Sequence, residues 1–427
     1  MNTIPLSSLP ADKLLRYTDI MHISSRTKRF RTRLLLYHNS RILYLTTFSL
    51  CFFCLFVLNI SKKGREDAQT EGYERARRML KVCTNMSLES RRIKEVTLRK
   101  SSDNSVILCP IFKIGSTFWR RVFYMENAPH LKNTINPYAF PFDANSYAKV
   151  YYIHHPTISQ AMTKVMFTRD PYARLLSFYV DKLLSPNPVY WKLVGRVAIS
   201  SVREKSSAHS LQCGCDLTFA EFIKHVIKTF ENKQAVDPHF QSMHVLCNPC
   251  EMKYTMIGKM ESFSTDSLEV VSKLSLNSTL EFLKKNSNSL AELDALLETV
   301  NQPYLFQHKY IKCISVEEAL KRSWRTLQIR GIIGKQRFPV VMGMGANTTQ
   351  EEFKSLALAA RAKSTPEERN QAKKEAFQEL YRTVPLSNLQ KIRRIYKVDF
   401  QLFDYDDMPS AIFDRNENVT FSNYLDS

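Results

Sequence analysis

The chain has 427 residues, 44% of them hydrophobic, enough for one sizeable α/β domain plus appendages. It carries no internal repeat or low-complexity tract, which excludes solenoids and compositionally biased chains. A formal net charge of +20 suits an anionic partner such as nucleic acid, an anionic nucleotide or an acidic glycan; a merely solubilising lysine excess is the plain alternative.

Residues 1–41 read as a basic tail, in which eight Lys/Arg against Asp12 and Asp19 leave a net +6. Ile42 to Ile60 is a charge-free, mostly apolar run of 19 residues, long enough to cross a hydrocarbon core of about 30 Å as a helix. Cys51-Phe-Phe-Cys-Leu-Phe-Val-Leu has no polar face, which argues against a buried core helix, and the run starts too far from Met1 for a cleaved signal peptide. Six Lys/Arg and no acid lie between Arg26 and Arg41, whereas Lys62, Lys63 and Arg65 are diluted by Glu66 and Asp67. The expectation is a single transmembrane anchor over 42–60, with residues 1–41 cytoplasmic and everything from Ser61 lumenal. A lumenal protein does not meet nucleic acid, which leaves the nucleotide and the glycan. Asn85, Asn277, Asn347 and Asn418 open N-x-[ST] sites and are glycosylation candidates.

Residues 61–100 are polar, with apolar periodicity only over Tyr73 to Val82, and read as a stem; a domain is expected over 101–408 and a surface tail over 409–427. Ser105-Val-Ile-Leu-Cys-Pro-Ile-Phe112 reads as a buried strand, Lys113 to Thr117 as a turn, and Thr117 to Glu126 as a helix. A helix start presents unsatisfied N–H donors and the positive end of the macrodipole, and Gly115 lets a ligand approach the backbone. Lys113 adds a point charge and Thr117 a hydroxyl. The chain has no G-x-x-x-x-G-K-[ST], so the magnesium-dependent ATP loop is excluded; the stretch reads as a metal-free phosphate cradle, with an ordinary strand-to-helix turn as the alternative.

A strand is expected over Val150 to Ile153, followed by His154 and His155. Lys164-Val-Met-Phe-Thr is a second short apolar strand, Pro171 suits a first helical position, and Tyr172 to Leu183 continues at helical spacing. Arg169 then stands at a strand end, able to fork onto a phosphate, while Arg174 and Ser177 share a helix face. An arginine paired with Asp170 is the structural alternative. Two such corners suggest one ligand with two separated phosphate groups.

Further along, Thr218 to Phe230 has helical apolar spacing with Asp216 or Thr218 as cap, Thr365-Pro-Glu-Glu starts a helix, and Ser387 to Tyr396 forms another. Seven of the nine cysteines follow the apolar run, where an oxidising lumen favours disulfides with one thiol left over. A zinc site from Cys213, Cys215, Cys247 and Cys250 is the alternative, although only the second pair has C-x-x-C spacing.

Taken together, these motifs resemble the Golgi carbohydrate sulfotransferases, in the group of the chondroitin/dermatan 4-O-sulfotransferases and the HNK-1 sulfotransferase. Phe112-Lys113-Ile114-Gly115-Ser116-Thr117-Phe118-Trp119 is similar to the family's Pro-Lys-x-Gly-x-Thr-x-Trp, with Phe112 in place of proline. Phe167, Arg169, Asp170, Pro171, Tyr172, Arg174, Leu175, Ser177, Tyr179, Asp181 and Lys182 match its second pattern. Asp237-Pro-His-Phe, Leu246-Cys-Asn-Pro-Cys and Tyr254 through Glu261 resemble later blocks, with Phe240 where tryptophan is usual. Ile392 through Tyr405 resembles a closing helix and strand.

The resemblance implies a P-loop-like sulfotransferase fold, a central parallel sheet flanked by helices. It also implies 3′-phosphoadenosine 5′-phosphosulfate (PAPS) as co-substrate, no metal, and a type II Golgi membrane setting. Phe112, Lys113, Ile114, Gly115, Ser116, Thr117 and Phe118 would form the 5′-phosphosulfate loop. Arg169, Asp170, Pro171, Tyr172, Ala173, Arg174, Leu175, Leu176 and Ser177 would form the 3′-phosphate segment. The acceptor would be a hydroxyl of an acidic or neutral glycan, the 4-hydroxyl of GalNAc in chondroitin or dermatan being one candidate. Lys113 would neutralise the leaving phosphate, and a histidine would take the hydroxyl proton: His239 in the Asp-x-His block, or His155, with His154 a third candidate. A non-catalytic PAPS- or glycan-binding relative and a kinase-like enzyme are the competing classes.

Overall fold

The Asp103 carboxylate accepts from Ser101 Oγ at 2.6 Å and from the Ser105 amide at 2.9 Å, and Asn104 takes the left-handed conformation (φ 60°). This tight turn folds strand β1 (Val96–Lys100) straight back onto β2 (Val106–Cys109), with Arg99 opposite Leu108. These elements belong to a computed structural model that describes residues 71–86, 96–128, 131, 135–140, 151–153, 162–339 and 347–415. The 42–60 run, His154, His155 and Asn418 lie outside the described residues. Among the described residues no helix is long and apolar enough to cross a membrane.

Strand β3 (Tyr151–Ile153) pairs antiparallel with the far edge of β1, while β4 (Thr163–Thr168) and β5 (Met256–Lys259) continue parallel to β2. The order is β3-β1-β2-β4-β5. The sheet is therefore mixed, which corrects the expected all-parallel arrangement. A parallel pair needs a long crossover, and the Ser101–Ser105 connection allows only a hairpin.

Helices cover the sheet and build further cores beside it. In chain order the main ones are α1 (residues 71–85), α2 (Ser116–Asn127), α3 (Pro171–Phe178), α4 (Phe219–Glu231), α5 (Phe263–Lys273) and α6 (Asn277–Leu305). They are followed by α7 (Val316–Ile329), α8 (Gln350–Ala362), α9 (Pro366–Arg382), α10 (Leu386–Ile395) and α11 (Lys397–Phe403). The sheet core joins Val106, Leu108, Val165 and Phe167 to Trp119 and Val122 of α2. A second core packs α3 against α4, α9 and α10 through Tyr172, Leu175, Phe222, Leu380 and Leu389. A third gathers α6, α7 and α8 around Trp324 and Phe353.

The helix starts follow local chemistry. Thr218 with Glu221, and Thr365 with Glu368, form reciprocal capping boxes at the expected N-termini of α4 and α9. The helix after Pro171 keeps α-geometry only to Phe178 and then widens into a π-type turn over Tyr179–Leu184.

Two segments read as stem belong to the packed body, which thus extends upstream of residue 101. In α1, Ala76 and Met79 are buried, Arg75 Nη1 lies 2.6 Å from Asp266, and Cys83 is bonded to Cys250. The segment expected as a closing strand is instead helix α11. Its Asp399, Phe400, Leu402 and Phe403 are buried at helical spacing, and the Asp399 carboxylate accepts the Met243 and His244 amides at 2.7 and 2.9 Å.

Cys109 pairs with Cys247 and Cys213 with Cys313, while Cys215 is a buried thiol. The four cysteines of the zinc alternative are thus divided among three different disulfides and a thiol. Asn85, Asn277 and Asn347 are exposed.

Candidate active site

Both corners lie at the carboxyl ends of adjacent parallel strands, where open α/β sheets bind ligands. After β2 the chain passes through Lys113 (φ 68°) and Gly115 (φ 67°) before α2 begins. A Cβ on Gly115 would stand 2.5 Å from the Phe263 ring, so both the left-handed backbone and the close approach demand glycine. Gly115 is the N-cap and has no side chain to bond the first turn, so the N–H groups of Ser116, Thr117 and Phe118 point out of the helix start. Ile114 and Phe118 are buried beneath the loop.

After β4, Asp170 caps α3 by accepting the Ala173 amide at 2.7 Å, with Pro171 at the first helical position. Burial, with Glu261 nearby, pushes the Asp170 carboxyl up to about 6. Glu261 accepts the Asp170 amide at 3.1 Å and the Tyr405 hydroxyl at 3.0 Å, locking the strand end to the residues after α11. Tyr172, Leu175 and Leu176 are buried in the helical core beneath this corner, whereas Ala173 and Ser177 remain partly open.

The two corners meet. Arg169 Nη1 donates to the Lys113 carbonyl at 2.9 Å. Arg174 spends its guanidinium on three carbonyls, those of Phe112 (3.2 Å), Gln241 (2.5 Å) and Pro238 (3.0 Å), and is 2% exposed. It ties the loop after β2 to the segment carrying His239. Burial lowers the pKa of both guanidiniums.

His239 stacks on Phe112 with ring centroids 4.2 Å apart. Its Nδ1 lies 2.8 Å from Asp237 Oδ1, and the Tyr190 hydroxyl is 3.3 Å from both ring nitrogens. Burial holds the imidazole below its ordinary pKa, with Asp237 opposing. The phenylalanine replacing the usual proline thus forms one wall of the histidine, and Phe240, replacing the usual tryptophan, packs against Phe178 and Phe222.

Lys113 Nζ donates to Asp181 Oδ2, and Lys182 Nζ is 3.1 Å from the same oxygen. Lys182 also stands 5.3 Å above the Tyr190 ring. The contacts close a ring through Lys113, Asp181, Lys182, Tyr190, His239 and Phe112. Burial lowers the Lys113 ammonium to about 8 against the pull of Asp181. Burial alone would raise Asp181, but Lys113 and Lys182 hold it well below the carboxylate range.

Sequence reasoning placed Lys113, Arg169 and His239 here but missed Asp181, Lys182, Tyr190, Asp237 and Glu261 as site residues. Four of these stand inside the family-like motifs and could have been taken from them. Tyr190 has no local signal; the turn after α3 delivers it.

Two cationic corners, each leading into a helix start on adjacent parallel strands, have the chemistry to receive an anionic ligand. The sequence profile of the sulfotransferase family matches residues 97–303, a stretch that takes in both corners and His239. The chain is 27% identical to carbohydrate sulfotransferase 8 of Mus musculus over 206 residues, 45% of this chain and 48% of that protein. It is 26% identical to carbohydrate sulfotransferase 11 of Danio rerio over 226 residues, 47% of this chain and 61% of that protein. Carbohydrate sulfotransferase 12 of Mus musculus is 24% identical over 214 residues, 44% of this chain and 50% of that protein. The chain spans about half the length of the first curated relatives it matches. No solved structure gives a significant match.

Proposed function

We propose that this protein transfers the sulfuryl group of PAPS to a glycan hydroxyl, as a type II enzyme of the Golgi membrane. The observation that carries this reading is the 2.9 Å bond from Arg169 Nη1 to the Lys113 carbonyl, which makes the two phosphate corners one site. Lys113, Thr117 and the amides at the start of α2 would hold the 5′-phosphosulfate; Arg169 and Ser177 would hold the 3′-phosphate.

The acceptor oxygen forms a bond to sulfur while the bond from sulfur to the 5′-phosphate oxygen breaks, releasing adenosine 3′,5′-bisphosphate. Lys113 neutralises the charge on that leaving oxygen, and positioning supplies most of the rest. His239, oriented by Asp237 at 2.8 Å and kept neutral by burial, takes the hydroxyl proton. The GalNAc 4-hydroxyl of chondroitin or dermatan is the first acceptor to test.

Incubating the detergent-solubilised full chain with labelled PAPS and desulfated chondroitin, dermatan, heparosan and N-glycan acceptors, followed by linkage analysis, tests the assignment. PAPS binding without transfer to any acceptor would favour a non-catalytic binding protein. Activity that needs ATP and magnesium and ignores PAPS would favour a kinase.

A further inference from the structure

The Lys113 ammonium, which a phosphosulfate should engage, is already committed. It donates to Asp181 Oδ2, and the same oxygen is approached by Lys182 Nζ at 3.1 Å. The three side chains are only 15%, 11% and 21% exposed, so none is free to discharge itself into bulk water. Glu298 of α6 and Arg330 at the end of α7 also face the trio, Arg330 being held by Thr299 Oγ1 at 2.9 Å. A carboxylate stranded here without a cation would carry the full penalty of a buried unpaired charge. One that shares a single oxygen between two lysines can release one and stay paired.

We propose that Asp181 is a positioning residue that holds Lys113 in the donor-free enzyme and is taken over by Lys182 when the donor's 5′-phosphate engages Lys113. Donor binding is then an ion-pair exchange, and no step leaves a buried charge alone. Lys182 lies over the ring of Tyr190, whose hydroxyl is 3.3 Å from His239, so the exchange takes place beside the proposed base. The inference rests on the reading that the Lys113 corner takes the donor.

The test is calorimetric binding of adenosine 3′,5′-bisphosphate to the full chain, with folding checked by thermal melting. Removing the competitor with Asp181→Asn should tighten binding about fivefold or more, the low end of a coupling between sites. Lys182→Met should weaken binding, Lys182→Arg should restore it, and Lys182→Met should have no effect once Asp181 is already replaced by asparagine. Folded Asp181→Asn that binds no tighter than wild type overturns the exchange, as does a Lys182→Met effect that persists in the double variant. If Asp181→Asn fails to fold, the Lys182 variants decide: equal affinities for Lys182→Met and wild type overturn it. A wild-type chain that binds no bisphosphate at all overturns instead the donor reading of the corner.

Discussion

Arg169 reaches back across 56 residues to the Lys113 carbonyl, so the strand-end arginine of one corner is a structural member of the other. On the donor reading, a bisphosphorylated nucleotide would meet two corners that are already joined. Arg169→Ala should therefore lower affinity for adenosine 3′,5′-bisphosphate about tenfold or more by calorimetry, through loss of a charge-assisted fork. Arg169→Lys should not rescue it, because a single ammonium cannot hold the carbonyl and fork onto a phosphate together. Full affinity in the lysine variant would mean that the corners work independently.

Arg174 makes the opposite prediction although it sits in the same motif. Its three carbonyl bonds and near-complete burial mark it as a staple between the loop after β2 and the His239 segment. Arg174→Ala should cost about 3 kcal/mol in chemical unfolding, since three carbonyl acceptors lose a charged donor. Unchanged stability with lost nucleotide affinity would make it a ligand instead.

Both corners were legible in the sequence because each is local: an apolar strand, a capped helix and the polar residues between them. Thr218 and Thr365 could be read as caps for the same reason. What was not legible depended on partners far along the chain. The antiparallel β1 lay hidden in a polar stretch, and its fate turned on the short Asp103 turn. The segment from Asp399 to Tyr405 fits either period on its own, and the Met243 and His244 amides decide for a helix by giving Asp399 its partners. Tyr190 meets His239 across 49 residues of chain, beyond the π-type turn that follows Phe178, and nothing in its own neighbourhood announces that partner.

Cysteine pairing gives a check on the fold that is independent of activity. Cys83–Cys250 and Cys109–Cys247 fasten α1 and β2 to the same short segment beside β5. Peptide mapping without reduction should recover these two links and Cys213–Cys313, with Cys215 alone alkylatable after denaturation among the cysteines of the described residues. Cys83→Ser should cost about 3 kcal/mol, since the bond closes a loop of 167 residues in the unfolded chain. A recovered Cys213–Cys215 or Cys247–Cys250 peptide would contradict the fold.

Glu269 on α5 links stability to pH. Both its carboxylate oxygens are buried without a hydrogen-bond partner, and burial pushes the group up to about 7, with Lys273 opposing. The folded state then binds a proton that the unfolded chain has released, so stability falls as pH rises from the ordinary glutamate range to about 7 and levels off above it. Glu269→Gln, neutral throughout, should melt close to wild type at acid pH and above it at alkaline pH. Parallel melting curves across that range would remove Glu269 as the source.

His239 sets the expected pH profile of transfer. A general base must be neutral, so activity should fall as pH drops through its pKa; burial places that acid limb below the ordinary histidine range. His239→Ala should lower kcat about 10²- to 10⁴-fold while bisphosphate binding survives, because base catalysis is lost and the phosphate corners stay intact. Asp237→Asn removes the carboxylate that favours the imidazolium and fixes Nδ1, so the limb should move further down in pH as kcat falls. The Phe112 ring stacked at 4.2 Å helps exclude the water that would otherwise stabilise the charged form. An acid limb at or above the usual histidine pKa, or unaltered turnover in His239→Ala, would assign the proton to another group.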